Sequence, residues 1–452
     1  MRVFFLVVSS IVCACGGPAK PPAPSATQVS APRRSAPRRV VMISIDGLRP
    51  EYWRKPDVYG AKIPTLRRLV AEGATGDVRS VWPTVTYPAH TTLVTGVRPA
   101  KHGIVNNLPF DPLGQNQDGW YWYASDIRSP TLWQRASAQG YTTANVYWPV
   151  TVGARFDWSF PQIWRTKTDE DDKLMQSLST PGLFEEVKAK YGRTPAEHRG
   201  DDARGDAAEH ILATKKPDLS FFYFTDLDTV QHATGPFAKQ AVATLETIDA
   251  QLARLVRVAD AKTTFVVVSD HGFMSISKII RPSVLLRVAG LLEVENGRVT
   301  SYRAAAWKAG GMCAIILRDP NDSVTKQLVS TLFRETAAKP DNGIAHVWDG
   351  AEVAAKGGFP GAALVLEAAP GFVFSASADG PAIAPASEHG AHGYSPDQSD
   401  MLASLVLSGS GIKKGVELGV VDMTDVAPTV ARLLAMELES ANGKVLDAAL
   451  SP

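Results

Sequence analysis

Three aspartates and three histidines stand in short clusters that follow apolar runs or flank turn glycines: Ile45-Asp46-Gly47, Asp228-Thr229-Val230-Gln231-His232, Ser269-Asp270-His271-Gly272 and His392-Gly393-Tyr394. Carboxylates mixed with imidazoles, and no thiolate among them, suit zinc, manganese or iron better than calcium or magnesium, which prefer all-oxygen shells. Asp46, Asp228, Asp270, His232, His271 and His392 are too many ligands for one tetrahedral ion, because catalytic zinc keeps about three protein ligands and an open position. The set is read as two zinc sites per chain. Two metals about 3.5–4 Å apart can hold both the attacking and the leaving oxygen of an in-line phosphoryl displacement, so phosphate esters become the leading substrate class.

A nucleophile is expected at Thr86. It precedes Pro88, and Pro88 to Thr95 reads as a helix with proline near its first turn. The Thr86 oxygen then lies at a helix N-terminus, where free N–H groups and the helix dipole favour an alkoxide and a phosphate oxygen. Metal coordination lowers a hydroxyl pKa further, so no histidine base is required.

Each cluster also has a plain structural reading. Asp46-Gly47 alone is an ordinary strand-end turn, Asp270-His271-Gly272 a turn with a satisfied histidine, and Thr86 alone a helix cap. The i, i+4 spacing of Asp228 and His232 puts both on one helical face, a pattern that chance also produces. Occurring together and in order, the clusters favour the metal reading.

In that order they resemble the nucleotide pyrophosphatase/phosphodiesterase branch of the alkaline phosphatase superfamily, from about Val40 to about Leu434. The strongest segment is Pro83-Thr84-Val85-Thr86-Tyr87-Pro88-Ala89-His90-Thr91-Thr92-Leu93-Val94-Thr95-Gly96, followed by Pro99, His102-Gly103-Ile104 and Asn106-Asn107. The resemblance implies Thr86 as nucleophile, forming a phospho-threonine intermediate. It implies one metal site on Asp46, Thr86, Asp270 and His271, and a second on Asp228, His232 and His392. It also implies that Asn107 contacts a phosphate oxygen, together with the backbone N–H of the nucleophile. Tyr87 matches the position that stacks on a base or aryl leaving group. Trp120, Tyr121, Trp122 and Tyr123 could supply the opposing face, with packing as the alternative. Many relatives have Asn where Ala89 stands, a departure that leaves nucleophile and ligands untouched. The monoesterase branches carry an arginine or a Lys-x-Arg pair that Val146-Tyr147-Trp148-Pro149-Val150-Thr151 lacks, so a phosphodiester or pyrophosphate is expected over a monoester.

His90 is expected to pack or hydrogen-bond beneath the site, and His102 to order the loop carrying Asn107. His389 competes with His392 for the last ligand role, and the His-Gly-Tyr context favours His392.

The elements that must hold these groups are strands ending at one edge. Val40–Ile45, Phe221–Phe224 and Phe265–Val268 are short apolar runs typical of buried parallel strands. In open α/β sheets the carboxyl ends of such strands face the ligand crevice, where Asp46, Asp228 and Asp270 emerge. Residues 64–72 read as a helix stopped at Gly73. Residues 237–259 read as a helix with Leu245, Ile248, Leu252 and Leu255 on one face, 402–407 as a strand, and 424–434 as a late helix. The expectation is an alkaline phosphatase-like α/β fold: a mostly parallel central sheet with helices on both faces. Residues 40–452 form the catalytic domain, and 274–388, free of ligands, form an inserted α+β subdomain.

Of 452 residues, 45% are hydrophobic, enough for a large core. The net charge of +1 conceals an asymmetry: six of the 47 basic residues lie in residues 1–39 with no acid, leaving 41 bases against 46 acids beyond them. An acidic body argues against a dedicated nucleic-acid surface. Arg2 followed by the apolar run Val3–Val12 reads as a signal peptide over 1–15, and Val12-Cys13-Ala14-Cys15-Gly16-Gly17 resembles a bacterial lipobox with Cys15 as the lipidated residue. Cleavage there leaves Cys313 alone, so no intrachain disulfide is available. Residues 16–39, rich in Pro, Ala and Arg, read as a flexible tether.

The sequence thus describes an exported, lipid-anchored two-zinc phosphodiesterase or nucleotide pyrophosphatase facing the periplasm or cell exterior. Its expected contacts are a small phosphodiester or nucleotide substrate and the membrane, with no protein partner evident. The alternatives are a phosphomonoesterase or phosphonate hydrolase with the same ligands, and a non-catalytic cell-surface binding protein.

Overall fold

The structure is a computed structural model that describes residues 38–116, 119–165 and 167–451. The signal peptide, Cys15 and nearly all of the tether expected at 16–39 lie outside the described residues.

Eight strands form the central sheet: β1 (Arg39–Ile45), β2 (Gly73–Arg79), β3 (Thr143–Val146), β4 (Trp158–Phe160), β5 (Leu219–Phe224), β6 (Thr263–Val268), β7 (Ala403–Gly409) and β8 (Val416–Asp422), in the order β8-β2-β7-β6-β1-β5-β3-β4. Strand β1 lies between β5 and β6, parallel to both, with Val40 opposite Leu219 and Thr264. Only β7 runs antiparallel to its neighbours. The inner strands carry apolar side chains on both faces and are buried end to end, as Leu-Ser-Phe-Phe-Tyr-Phe in β5 shows. That composition requires cover on each side of the sheet. Two separate sets of helices provide it: Pro64–Ala71, Gly200–Thr214 and Lys239–Val258 pack together, and Thr86–Thr95, Leu132–Ala138 and Val426–Leu433 form the other group.

The helix Lys239–Val258 buries Leu245, Ile248, Leu252 and Leu255, the stripe its sequence spacing describes. It also fixes the start of its neighbour. Asp249 is buried on it and accepts the backbone N–H groups of Thr65 and Leu66, at 3.0 and 2.7 Å, which the helix Pro64–Ala71 leaves unpaired at its N-terminus.

Between β6 and β7 the chain builds a four-stranded antiparallel sheet from Ala304–Ala309, Met312–Leu317, Leu364–Ala368 and Ile344–Asp349, with the helix Ser323–Ala337 and a smaller sheet around Met274–Ile280. Its apolar residues form a second core, including Ile315, Phe333, Leu366 and Tyr394. Among the described residues no helix is long and apolar enough to cross a membrane.

Candidate active site

Strands β1, β5 and β6 end at the same edge of the sheet, and the chemistry gathers there. Asp46 follows the last residue of β1, its N–H still bonded to Phe224 O at 2.9 Å. The chain then turns at Gly47, with φ of 66°. A Cβ at this position would lie 2.9 Å from Gln231 Nε2, so the position requires glycine for both backbone and space. Gln231 donates to Gly47 O at 3.0 Å, tying the turn to the helix Asp226–Thr234 that follows β5 and carries Asp228 and His232. Asp270 and His271 leave β6 two and three residues past its end. His392 arrives from the opposite side, after the pairing of Gly390–Ala391 with Met274–Ser275.

The three histidines are oriented in the same way. Nδ1 of His232 contacts Gly390 O, Nδ1 of His271 contacts Gly272 O and Nδ1 of His392 contacts Thr84 O, each at 3.0 Å. A carbonyl can only accept, so each Nδ1 carries a proton and each Nε2 is the nitrogen turned to the centre of the site. His271 Nε2 lies 3.2 Å from both Asp46 Oδ1 and Asp270 Oδ2. Asp228 Oδ2 is 3.6 Å from His232 Nε2, and Asp228 Oδ1 is 3.7 Å from His392 Nε2. Two groups emerge with ligating atoms within 4.8 Å of one another: Asp46, Asp270 and His271, and Asp228, His271 and His392.

Asp46 Oδ1, Asp228 Oδ1, Asp270 Oδ2 and His271 Nε2 are buried without hydrogen-bond partners. Such atoms are expensive to bury unless something pairs with them. Four acceptors converging from three different elements fit divalent cations.

The electrostatics agree. Burial, then the charges of Asp270 and Asp228, pushes the Asp46 carboxyl well up. Burial raises Asp270 to about 7 and raises Asp228 as well. Burial and His392 hold His271 well below the usual imidazole range, and burial and His232 hold His392 at about 3. Burial also opposes a charge on His232, but Asp228 and Glu388 outweigh it and raise His232 to about 9. A crowd of acids that resists ionisation beside two neutral imidazoles lacks positive charge at its centre.

Thr86 is the first residue of the helix Thr86–Thr95 and is 7% exposed. Asn107 reaches the same helix start: its Oδ1 accepts the Tyr87 N–H at 2.8 Å. His90 lies beneath, one turn on. Its Nδ1 donates to Thr86 O at 2.8 Å and its Nε2 pairs with Ser44 Oγ at 2.9 Å, and burial drops its pKa to about 3. His102 orders the loop before Asn107 through Thr92 Oγ1 and the Ile104 N–H. His389 meets the site through its backbone, donating N–H to His232 O at 2.8 Å.

Tyr87 is fully buried. Trp120 packs against its ring with centroids 5.2 Å apart, and its hydroxyl accepts the Trp164 indole N–H at 3.0 Å. Of the aromatic run, Trp120 and Trp122 join this cluster, whereas Tyr123 points outward and is 55% exposed.

Three contributors were not read from the sequence. Tyr223 donates its hydroxyl to Asp46 Oδ2 from the neighbouring strand. It is the only tyrosine in β5, and the hydroxyl of a fully buried tyrosine usually finds a partner. Glu388 lies 3.5 Å from His232 Nδ1, and Trp164 covers Tyr87. No local spacing announces the last two.

Residues 40–395 match the family model described as type I phosphodiesterase / nucleotide pyrophosphatase, and the chain belongs to that family. Curated relatives include a venom phosphodiesterase of Naja atra, 25% identical over 255 residues that cover 53% of this chain and 26% of that protein. Another is ectonucleotide pyrophosphatase/phosphodiesterase family member 1 of Homo sapiens, 24% identical over 256 residues covering 51% and 23%. The chain thus spans about a quarter of the length of these relatives. Among solved structures, human ectonucleotide pyrophosphatase/phosphodiesterase 5 superposes with a TM-score of 0.66 at 19% identity, covering 92% of this chain and 100% of that one. The murine counterpart, solved as an inactive form in complex with AMP, matches equally well. These likenesses establish the alkaline phosphatase-like α/β fold expected from the sequence.

Proposed function

We propose that this protein is a divalent-metal-dependent phosphodiesterase or nucleotide pyrophosphatase that transfers a phosphoryl group to Thr86 and then to water. The observation that carries the reading is the convergence of unpartnered buried acceptors from Asp46, Asp228, Asp270 and His271 on a site bordered by His232, His392 and the helix that begins at Thr86. Family membership and the AMP complex of the murine neighbour support a nucleotide-sized substrate.

Asp46, Thr86, Asp270 and His271 would hold one zinc ion and Asp228, His232 and His392 the other, with His271 close to both groups. Bound there, the ions would supply Lewis-acid stabilisation of the oxygens that gain charge during transfer. The protein's own groups do the positioning. Thr86 Oγ1 attacks phosphorus in line, and the leaving oxygen departs with the bonding electron pair, giving phospho-threonine that water later hydrolyses. The Thr86 N–H at the start of the helix Thr86–Thr95 and the Asn107 side chain, whose Oδ1 accepts the Tyr87 N–H, would contact phosphate oxygens. His90 is no base for Thr86, because Ser44 and the Thr86 carbonyl occupy both of its nitrogens. Tyr87, under Trp120 and Trp164, would become a base-stacking face when those indoles move aside.

Preference for diesters rests on Val146–Thr151, which is buried throughout and carries no cation for a doubly charged monoester. Export and lipid attachment at Cys15 rest on the sequence pattern at the N-terminus.

The test is zinc-loaded protein assayed in parallel on bis-p-nitrophenyl phosphate and p-nitrophenyl phosphate, with Thr86→Ala and a chelated sample as controls. The proposal requires diester preference and two inactive controls. Monoester preference would reassign the substrate to a phosphomonoesterase, and turnover of neither would remove the phosphoesterase reading.

A further inference from the structure

The hairpin Ala304–Leu317 inserts its tip between two loops of the site. Asn106 Nδ2 donates to Lys308 O at 2.9 Å, so the strand is pinned to the loop that presents Asn107. Three residues on, Gly311 N–H donates to His392 O at 2.8 Å. A Cβ at Gly310 would come within 2.0 Å of that same oxygen, which is how closely the turn approaches the His392 loop. Lys308 therefore stands between the Asn107 loop and the His392 loop, with both backbone neighbours fixed.

Its side chain has a defined direction. Lys308 is paired with Cys313 across the hairpin, and residues opposite each other in a ladder share a face. Cys313 belongs to the core that contains Tyr394 and Ala391, so the lysine emerges on the His392 side of the sheet. Lys308 is exposed and makes no ion pair among the described residues. Its charge is felt at Glu388, whose carboxyl is lowered first by its hydrogen bond to His232 and then also by Lys308. It is felt at His392 as well, beyond the larger effects of burial and His232.

In-line displacement sends the leaving oxygen away from Thr86, toward the half of the site built by Asp228, His232 and His392, beside which Lys308 stands. A phenolate or alkoxide leaving group gathers one charge there, whereas a phosphate or pyrophosphate leaving group carries several. We infer that Lys308 is a specificity-determining residue that contacts the leaving phosphate chain and favours P–O–P bonds, as in nucleoside triphosphates, over simple phosphodiesters. The inference deepens the phosphoryl-transfer reading above and rests on it. In the favoured reaction the Thr86 Oγ1–P bond forms as the hydroxyl proton passes to water, the P–O bond to the β-phosphate breaks, and pyrophosphate leaves with the electron pair, its charge facing the Lys308 ammonium.

Two substrates that transfer the same thymidylyl group separate the claims: p-nitrophenyl thymidine 5′-phosphate, which releases nitrophenolate, and thymidine 5′-triphosphate, which releases pyrophosphate. The readout is the ratio of kcat/KM for the triphosphate to that for the ester. Lys308→Ala is expected to lower this ratio about tenfold or more, Lys308→Glu to lower it further and Lys308→Arg to preserve most of it. Inhibition by inorganic pyrophosphate is expected to weaken in the same order. A ratio unchanged within about twofold in Lys308→Ala and Lys308→Glu overturns the inference, as does wild-type protein that splits the ester but not the triphosphate; both leave the phosphodiesterase reading intact. Wild-type protein that splits neither substrate overturns that reading, and the inference with it.

Discussion

The imidazoles of His271 and His392 lie face to face, with ring centroids 3.7 Å apart and planes only 8° from parallel. Two stacked imidazolium ions at that distance would repel strongly, and burial disfavours either charge, so both rings are held neutral. Strand β6 before His271 and the loop around His392 flank the segment that builds the second core, yet they deliver two Nε2 atoms to one place. Neutral imidazole is the form that ligates a metal.

The acid cluster makes the metal-free protein sensitive to pH. Asp270 has a folded pKa of about 7, raised by burial, against an unfolded value of about 3.9. Its contribution to stability is full below the unfolded pKa and is lost as pH rises through about 7. Chelated protein is expected to lose thermal stability across that window, and added zinc to restore it most at the upper end. Melting temperatures from pH 5 to 8, with and without zinc, check this; equal curves in both conditions would count against a cation at the acid cluster.

Thr86→Ala should leave the fold intact and reduce diester hydrolysis by about three orders of magnitude or more, because the group that forms the covalent bond is gone. Single-turnover assays together with a thermal melt distinguish loss of chemistry from loss of structure. Residual activity within tenfold of wild type would remove Thr86 as the nucleophile.

Tyr223→Phe deletes the hydroxyl that orients Asp46 while keeping the ring against His90, whose centroid is 4.4 Å away. Zinc affinity, measured by competition with a coloured chelator, should fall about 10- to 100-fold, with an unchanged far-ultraviolet circular dichroism spectrum. Wild-type affinity in the variant would mean that Asp46 needs no such support.

Arg204 is buried beneath the helix Asp226–Thr234. Its guanidinium pairs with Asp201 at 2.6 Å and lies 4.2 Å from the centroid of the Tyr147 ring. Asp201 in turn accepts the N–H groups of Thr225 and Asp226, each at 2.9 Å, so the pair anchors the helix that carries Asp228 and His232. Arg204→Met leaves Asp201 buried without its cation and should cost about 3–5 kcal/mol in urea unfolding. A loss below about 1 kcal/mol would show that the pair is replaceable.

Burial pushes the Cys313 thiol up to about 12. Native protein should therefore resist alkylation at Cys313 at pH 8, and mass mapping should find the modified peptide only after denaturation. Rapid labelling of the folded protein would contradict the packing of that strand.

Legibility in the sequence followed local pattern. Apolar runs announced β1, β5 and β6, and the stripe from Leu245 to Leu255 announced the long helix, because strand burial and helical periodicity are written in adjacent residues. Strand β2 reads Gly-Ala-Thr-Gly-Asp-Val-Arg and carries no such pattern; it is a strand because β7 and β8 pair with it. Likewise, the six ligand-type residues and Thr86 were visible through their spacing. Tyr223, Glu388 and Lys308 were not, since each meets the site through an element distant in sequence. The burial of Tyr87 by Trp164, 77 positions away, is of the same kind.

The central position of β1 bears on how the protein is made. Its partners β5 and β6 begin at Leu219 and Thr263, and β7, which joins β6 to β2, is not synthesised until residues 403–409. During translation β1 waits until Leu219–Phe224 and Thr263–Val268 have been made before its edges are covered, a slow, non-local assembly. Asp46 is the first of the proposed site residues to be synthesised and His392 the last, so the proposed site stays incomplete until His392 has been made. The proposed hydrolytic activity would therefore arise only after the loop around His392 has been made and β7 has paired with β6.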